Sequence, residues 1–231
     1  MPPVSEYRGP AAGRLSGLLL DIGGVVHRTG IHLVGRLAEQ RPAMKPVLDR
    51  IGGIASDRDE LWQQVMRHQV TEREYWARRA AELGAALGET WDTRDLMSRF
   101  YQLPEQEWRF AGTVELMTDA KAAGLRVGAL TNDMTAFHGA EWVARQEHLK
   151  LFGVIVDASL TGVMKPDPAA FRAGIEAMDL PAEQIVFLDD MPWNVAGARQ
   201  AGMTAVRVPW DDPTPAIDTA RDLLGLGPGS R

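Results

Sequence analysis

Four short segments set acids, a hydroxyl, an amide and one lysine where such groups do chemistry. Asp21 follows the apolar run Leu18-Leu19-Leu20 and precedes Gly23-Gly24. Thr131-Asn132 close the run Leu125 to Leu130, and Asp189-Asp190 close the run Ile185 to Leu188. Lys165 stands in the stretch Gly162-Val163-Met164-Lys165-Pro166-Asp167-Pro168. Taken singly, each has an ordinary reading. An Asp after a strand is most often an N-cap or turn residue, Thr-Asn is a common turn pair, and Lys-Pro-Asp-Pro makes a rigid turn. Asp189-Asp190 is harder to read that way, because two adjacent acids ending a buried strand repel each other unless something cationic joins them. If the strands pair, the four segments bring three carboxylates, a hydroxyl, an amide and one ammonium to one edge.

The surrounding pattern supplies such strands. Gly17 to Ile22 is apolar on both faces, as suits a buried parallel strand. Leu125 to Leu130, Val154 to Val156, Ile185 to Leu188 and Thr204 to Val208 read the same way. Helices are expected between them, over Val114 to Ala123 with a stop at Gly124, over Pro168 to Met178, and over Asn194 to Ala201. Strands alternating with helices argue for parallel βαβ units, whose ligands bind at the carboxyl ends of the strands. Gly23 and Gly24 mark a tight turn where backbone can approach a ligand. From Thr29 to Arg109 no strand-like run occurs. That stretch reads as helices over about Ile31 to Met44, Arg58 to Gln69, Glu72 to Leu87 and Thr93 to Gln102, with Thr71 to Glu74 forming a capping box. It is far too long for a plain connection and predicts a helical cap over the active edge of the sheet. The expected organisation is a flexible extension over residues 1–16, a core over 17–28 and 110–231, a cap over 29–109, and a frayed end from Gly225.

Composition narrows the classes. The 231 residues are 45% hydrophobic and 24% charged, which excludes wholesale disorder. The absence of cysteine excludes a disulfide scaffold, a thiolate zinc site and a cysteine nucleophile. A net charge of −6 without a basic cluster sets nucleic-acid partners aside. The start lacks an apolar signal region and no apolar run approaches a bilayer span, so a cytoplasmic chain without a membrane partner is expected, as a monomer or homodimer.

In order and spacing, the segments resemble the haloacid dehalogenase-like hydrolase superfamily, most of whose members are phosphatases. Leu-Leu-Leu-Asp-Ile-Gly-Gly-Val-Val is similar to its first motif, Ala-Leu-Thr-Asn to the second, and Gly-Val-Met-Lys-Pro-Asp-Pro-Ala-Ala-Phe to the third. Ile-Val-Phe-Leu-Asp-Asp-Met-Pro-Trp-Asn is similar to the fourth, with Asn194 four residues after Asp190. The resemblance runs from Gly17 to about Trp210. It implies an α/β fold, a Rossmann-like parallel sheet core sandwiched by helices, with an inserted helical cap of the C1 type. It implies hydrolysis of a small organic phosphate monoester: Asp21 as the nucleophile forming an aspartyl-phosphate, and Mg²⁺ held by Asp21, Asp190 and the carbonyl of Gly23. Asp189 would orient a metal water or Lys165. Thr131 and the amide of Asn132 would hold phosphate oxygens with the amides near Gly23 and Gly24, and Lys165 would neutralise nucleophile and phosphoryl group.

One position departs from the pattern. Phosphatases of this kind carry a second Asp two residues after the nucleophile as general acid and base; here that residue is Gly23. General acid–base help is worth about 10²–10⁴-fold. The expected consequences are a leaving group that needs little protonation, a substitute donor such as His27, Asp133 or a His or Arg of the cap, or a weakened phosphate-binding or regulatory protein. A dehalogenase using Asp21 on carbon is a further alternative. It would carry an aromatic residue at position 23 and leave Asp190 without a metal. Phosphoryl transfer other than hydrolysis is another. In the cap, Trp62, Trp76, Trp91, Trp108, Tyr75, Tyr101 and Phe100 are read as helix packing or a substrate wall. Arg67, Arg78 and Arg79 are read as a solvated face or an anion-binding set.

Overall fold

The computed structural model describes residues 15–51, 58–227 and 229. The expected extension over residues 1–16 lies outside the described residues except for Leu15 and Ser16, and Ser16 is tied to Gln184 by a backbone N–H···O bond of 2.9 Å. Of the end expected to fray, residues 228, 230 and 231 lie outside the described residues.

Strands β1 (Gly17–Leu20), β2 (Arg126–Thr131), β3 (Val154–Asp157), β4 (Ile185–Asp189) and β5 (Thr204–Arg207) form one parallel sheet in the order β3-β2-β1-β4-β5. Leu20 is paired with Ala129 on one side and Leu188 on the other, Thr131 with Asp157, and Asp189 with Arg207. The chain starts in the middle of the sheet, runs outward through β2 and β3, then returns to lay β4 on the other side of β1. The connections leaving β1 and β4 therefore diverge, opening a crevice at their carboxyl ends where ligands of such sheets bind.

Side chains of a strand alternate between faces. Leu18 and Leu20 enter one core with Leu116, Val186, Leu188 and Ile217. Leu19 enters the opposite core with Leu130, Phe171, Phe187 and Val195. Both faces of β1 are thus buried, which is why its sequence is apolar throughout.

Between β1 and β2 lie α1 (Gly30–Gln40), α2 (Lys45–Leu48), α3 (Glu60–Met66), α4 (Glu72–Ala86), α5 (Thr93–Phe100), α6 (Glu105–Trp108) and α7 (Ala111–Ala122). The first six build a third core of their own around Leu37, Trp62, Tyr75, Trp76, Leu83 and Phe100. The helix expected to run to Met44 ends at Gln40, and Pro42 opens a separate 3₁₀ turn, because proline removes a helix donor and crowds the preceding turn. The capping box forms at α4: Thr71 Oγ1 accepts from Glu74 N at 3.1 Å and Glu74 Oε2 accepts from Thr71 N at 2.8 Å. The two connections into this helical layer run side by side, with Arg28 N donating to Trp108 O at 2.6 Å and Phe110 N to Val26 O at 2.9 Å.

The remaining helices are α8 (Met134–His138) and α9 (Ala140–Arg145) after β2, α10 (Ala158–Thr161) and α11 (Pro168–Met178) after β3, α12 (Pro192–Gln200) after β4 and α13 (Thr214–Leu224) after β5. Among the described residues, no helix is long and apolar enough to cross a membrane.

Candidate active site

Asp21 continues β1 by one residue: its N–H donates to Leu188 O at 2.9 Å, which fixes its side chain at the crevice between β1 and β4. Asp21 Oδ1 accepts from Ile22 N at 2.7 Å and lies 3.1 Å from Lys165 Nζ. The same ammonium donates to Asp189 Oδ2 at 2.7 Å. Lys165 is only 4% exposed, although it comes from a loop. Asn132 positions it: Nδ2 donates to Lys165 O at 3.0 Å and Oδ1 accepts from Lys165 N at 2.8 Å. The Asn132 side chain thus serves the lysine loop, a role absent from the sequence reading, which used only its backbone amide.

Asp189 is saturated. Oδ1 accepts from Met191 N at 2.9 Å and Asn194 Nδ2 at 3.0 Å, while Oδ2 takes Asn194 Nδ2 at 3.1 Å besides the lysine. Asp190 is buried, 3% exposed, and sits against Gly24. A Cβ on Gly24 would come within 2.2 Å of Asp190 Oδ2, and its φ of +73° is one that only glycine adopts freely. Gly23 is different: a Cβ there would meet only Thr29 Cγ2 at 3.6 Å. The first glycine leaves open space, whereas the second lets a carboxylate pass.

Asp21, Asp189 and Asp190 each offer an oxygen within 4.8 Å of the others. Three carboxylates face one ammonium there. Burial raises the Asp21 carboxyl to about 6 against the pull of Lys165, with the Asp189 charge adding to the rise. Burial and then the Asp189 and Asp21 charges drive Asp190 well above the usual carboxylate range. Burial opposes the charge of Lys165, but Asp189 and Asp21 outweigh it and hold the ammonium protonated. Asn194 Oδ1 is buried with no partner and borders the same space. This donor set, all oxygens with excess negative charge, suits a hard divalent cation. With Asp189 saturated, Asp21 and Asp190 are the carboxylates open to one.

A cavity of about 90 Å³ stands over these groups. Asp21, Gly23, Thr131, Asn132 and Asp190 form its floor. Its wall comes from the helical insertion and α8: Trp76, Met97, Tyr101, Phe137 and His138, with Glu72. The tryptophans divide accordingly. Trp62, Trp91 and Trp108 are buried packing residues, while Trp76 is buried and also borders the cavity.

The candidate proton donors named from the sequence are otherwise engaged. His27 borders the cavity, but its Nε2 lies 2.6 Å from His148 Nε2 and its ring packs edge-on against Trp108. Burial lowers it well below its ordinary value, so it is neutral. His138 stacks on Trp142 and burial lowers it to about 4. Asp133 is ion-paired to Arg73 of α4. Of the cap arginines, Arg67 and Arg78 are exposed, whereas Arg79 is neither solvated nor at the site: it is 5% exposed and bonded to Asp59 at 2.5 Å. The sequence reading missed Glu72, whose only signal was its place in the first turn of a capped helix.

The haloacid dehalogenase-like hydrolase family model matches residues 15–202. Among curated proteins, the chain is 33% identical over 111 residues to Phosphatase MT3486 of Mycobacterium tuberculosis, covering 48% of this chain and 51% of that protein. It is 26% identical over 168 residues to mouse Acyl-CoA dehydrogenase family member 10, covering 71% of this chain and 15% of that one. The chain thus spans about half or less of the length of these relatives. Among solved structures, the HAD-hydrolase YfnB from Bacillus subtilis bound to magnesium superimposes with a TM-score of 0.62 at 18% identity, covering 93% of this chain and all of that one. A dehalogenase with intermediate complex gives 0.59 at 17%, covering 94% and 100%. The fold is shared with both. With a family model matching from Leu15 to Gly202 and the motif residues gathered at one sheet edge, the chain belongs to the haloacid dehalogenase-like hydrolases.

Proposed function

We propose that this protein is a Mg²⁺-dependent phosphatase acting on a small organic phosphate monoester through an aspartyl-phosphate on Asp21. The observation that carries this is the pairing of Asp21, on a cavity floor that also holds Asp190, with Lys165 buried beneath it. A carboxylate meets a dianionic ester only where its repulsion is neutralised. Lys165 does that from below, while Thr131 and the Asn132 amide hold phosphoryl oxygens. Asp189 with Asn194 keeps the ammonium in place. Asp21, Asp190 and the Gly23 carbonyl would hold the cation, which when bound supplies charge neutralisation at the phosphoryl oxygens. The helices of residues 29–109 act as the cap that excludes water. The relative named a phosphatase and the magnesium-bound neighbour support the same reading.

The lining favours an uncharged, apolar leaving alcohol. Among the described residues bordering the cavity there are acids and aromatics but no lysine or arginine, so a second anionic group on the substrate would find no partner. The dehalogenase neighbours favour a second reading, attack of Asp21 on a carbon–halogen bond. Gly23 and the buried Asp190 speak against it. A panel of phosphate esters and haloacids, assayed with Mg²⁺ and with chelator, decides between them. Phosphate release is expected with Mg²⁺ only, and Asp21→Asn should lower it by roughly 10⁴-fold or more. Halide release in chelator would reverse the assignment, and ligand binding without turnover would point to a binding protein.

A further inference from the structure

Position 23 carries no carboxyl, but the helical insertion brings one to the wall of the same cavity. Glu72 is the first residue of α4, and its Oε1 accepts from Trp76 Nε1 at 3.1 Å. Glu72 is half-buried and borders the same cavity as Asp21. It lies outside the cluster of three aspartates that would hold the cation. It is also the residue of the helical insertion that brings a carboxyl to this wall among the described residues.

We propose that Glu72 is the general acid and base of this site, reaching down from the cap to do what Gly23 cannot. The proposal rests on the reading of Asp21 as nucleophile. As an Asp21 oxygen bonds to phosphorus, the bond from phosphorus to the ester oxygen breaks and the Glu72 proton passes to that oxygen, releasing a neutral alcohol. Water then attacks the aspartyl-phosphate. Its proton returns to the Glu72 carboxylate, the acyl–phosphate link opens, and inorganic phosphate leaves with Asp21 restored.

The setting suits that duty. The charged and titratable groups facing Glu72 are Asp21 and Asp190 on the floor, Lys165 beneath them, Asp133 with its partner Arg73, and Tyr101 on the wall. Burial raises the Glu72 carboxyl to about 7. The Asp133 and Asp21 charges add to the rise, while the Trp76 bond and Lys165 oppose it. A group near neutrality in its pKa exchanges protons in both directions. Burial favours the neutral form of the imidazoles on the same wall, which lacks the acidic proton of an imidazolium.

The test is leaving-group dependence. Glu72→Gln keeps an oxygen to accept from Trp76 but carries no transferable proton. On phenethyl phosphate, whose alkoxide leaves poorly, kcat/KM, which covers the steps through formation of the aspartyl-phosphate, should fall by about 10²–10³-fold. On p-nitrophenyl phosphate, whose phenolate leaves unaided, kcat/KM should stay within about tenfold, which also establishes that the variant is folded, while kcat falls on both esters because the water step loses its base. Adding Gly23→Asp to Glu72→Gln should recover much of the phenethyl phosphate rate, since a Cβ at position 23 meets only ordinary contact with Thr29. Equal losses of kcat/KM on both esters, or no loss on phenethyl phosphate, would overturn the role of Glu72. Asp21→Asn distinguishes the underlying reading: it should abolish both reactions, and if it does not, nucleophile and proton donor fail together.

Discussion

Two buried clusters in this molecule pair carboxylates with a cation, and they differ in how the charges add up. In the helical insertion, Asp59 accepts from Arg79 Nη2 at 2.5 Å, Tyr75 Oη at 2.6 Å and Trp62 N at 3.0 Å. Arg79 also reaches the partly exposed Glu82 at 2.7 Å. Within the buried part, one anion meets one cation and each has several hydrogen bonds. At the sheet edge, Lys165 pairs with Asp21 and Asp189 and Asp190 joins the same cluster, two carboxylates more than one ammonium can balance. A pair that only holds helices together closes its charges, because an uncompensated buried charge costs several kcal/mol. A cluster that leaves negative charge over is open to a cation from outside, and the difference between the two marks which one is a site.

The sharpest way to break this contrast is to truncate each cluster. Asp59→Ala strands the Arg79 guanidinium and removes the N-cap of α3, so unfolding free energy should drop by about 3–5 kcal/mol, read from urea denaturation at neutral pH. A loss below about 1 kcal/mol would mean that the insertion does not depend on its buried pair. Asp190→Asn should act in the opposite direction. It removes a carboxyl whose ionisation burial and the Asp189 and Asp21 charges oppose, and in chelator it should stabilise the protein. The wild type should gain thermal stability on addition of MgCl₂, and Asp190→Asn should lose that gain. A variant that is destabilised in chelator and still shifted by Mg²⁺ would show that the two clusters are alike after all.

This contrast also explains what was legible in the sequence. The strands could be read because the three central ones, β1, β2 and β4, are buried on both faces almost throughout, and the motif residues could be read because they follow those strands directly. Asp21, Thr131, Asp189 and Asp190 need only the sheet to bring them together. Lys165 comes from a loop, yet Asn132, next to a strand end, fixes it. The helical insertion gives no such frame. Arg79 reads like Arg78 beside it, and only Asp59, folded back from the preceding helix, decides that one is buried and the other exposed. Glu72 and Glu74 look equivalent around Thr71, but Glu74 bonds back to Thr71 while Glu72 bonds Trp76 and borders the cavity. The segment after Asn132 also escaped the sequence reading: α8 and α9 are each under two turns long and are separated by Gly139 at φ +82°, too short for a helical period to register.

The smallest expected effect is a dependence on pH that the two clusters should not share. In the metal-free protein the Asp21 carboxyl is raised by burial from its ordinary 3.8 to about 6. Between those values the native state holds a proton that the unfolded chain has already released. Stability therefore falls as pH rises through this window, and above it the cost stays constant. The expected size is about 1–2 kcal/mol, less than the full displacement because the Asp21 side chain keeps contact with solvent. Carboxylates elsewhere contribute with the other sign, Glu107 being lowered by Arg36 and Glu74 by Thr71. The quantity to measure is thus the difference between wild type and Asp21→Asn, in chelator, from pH 4 to pH 8. The wild type should lose more stability than the variant over that range, and saturating Mg²⁺ should remove the difference by favouring the ionised form. Parallel curves in chelator would mean that Asp21 is ionised throughout, with Lys165 alone sufficient to balance the floor of the site.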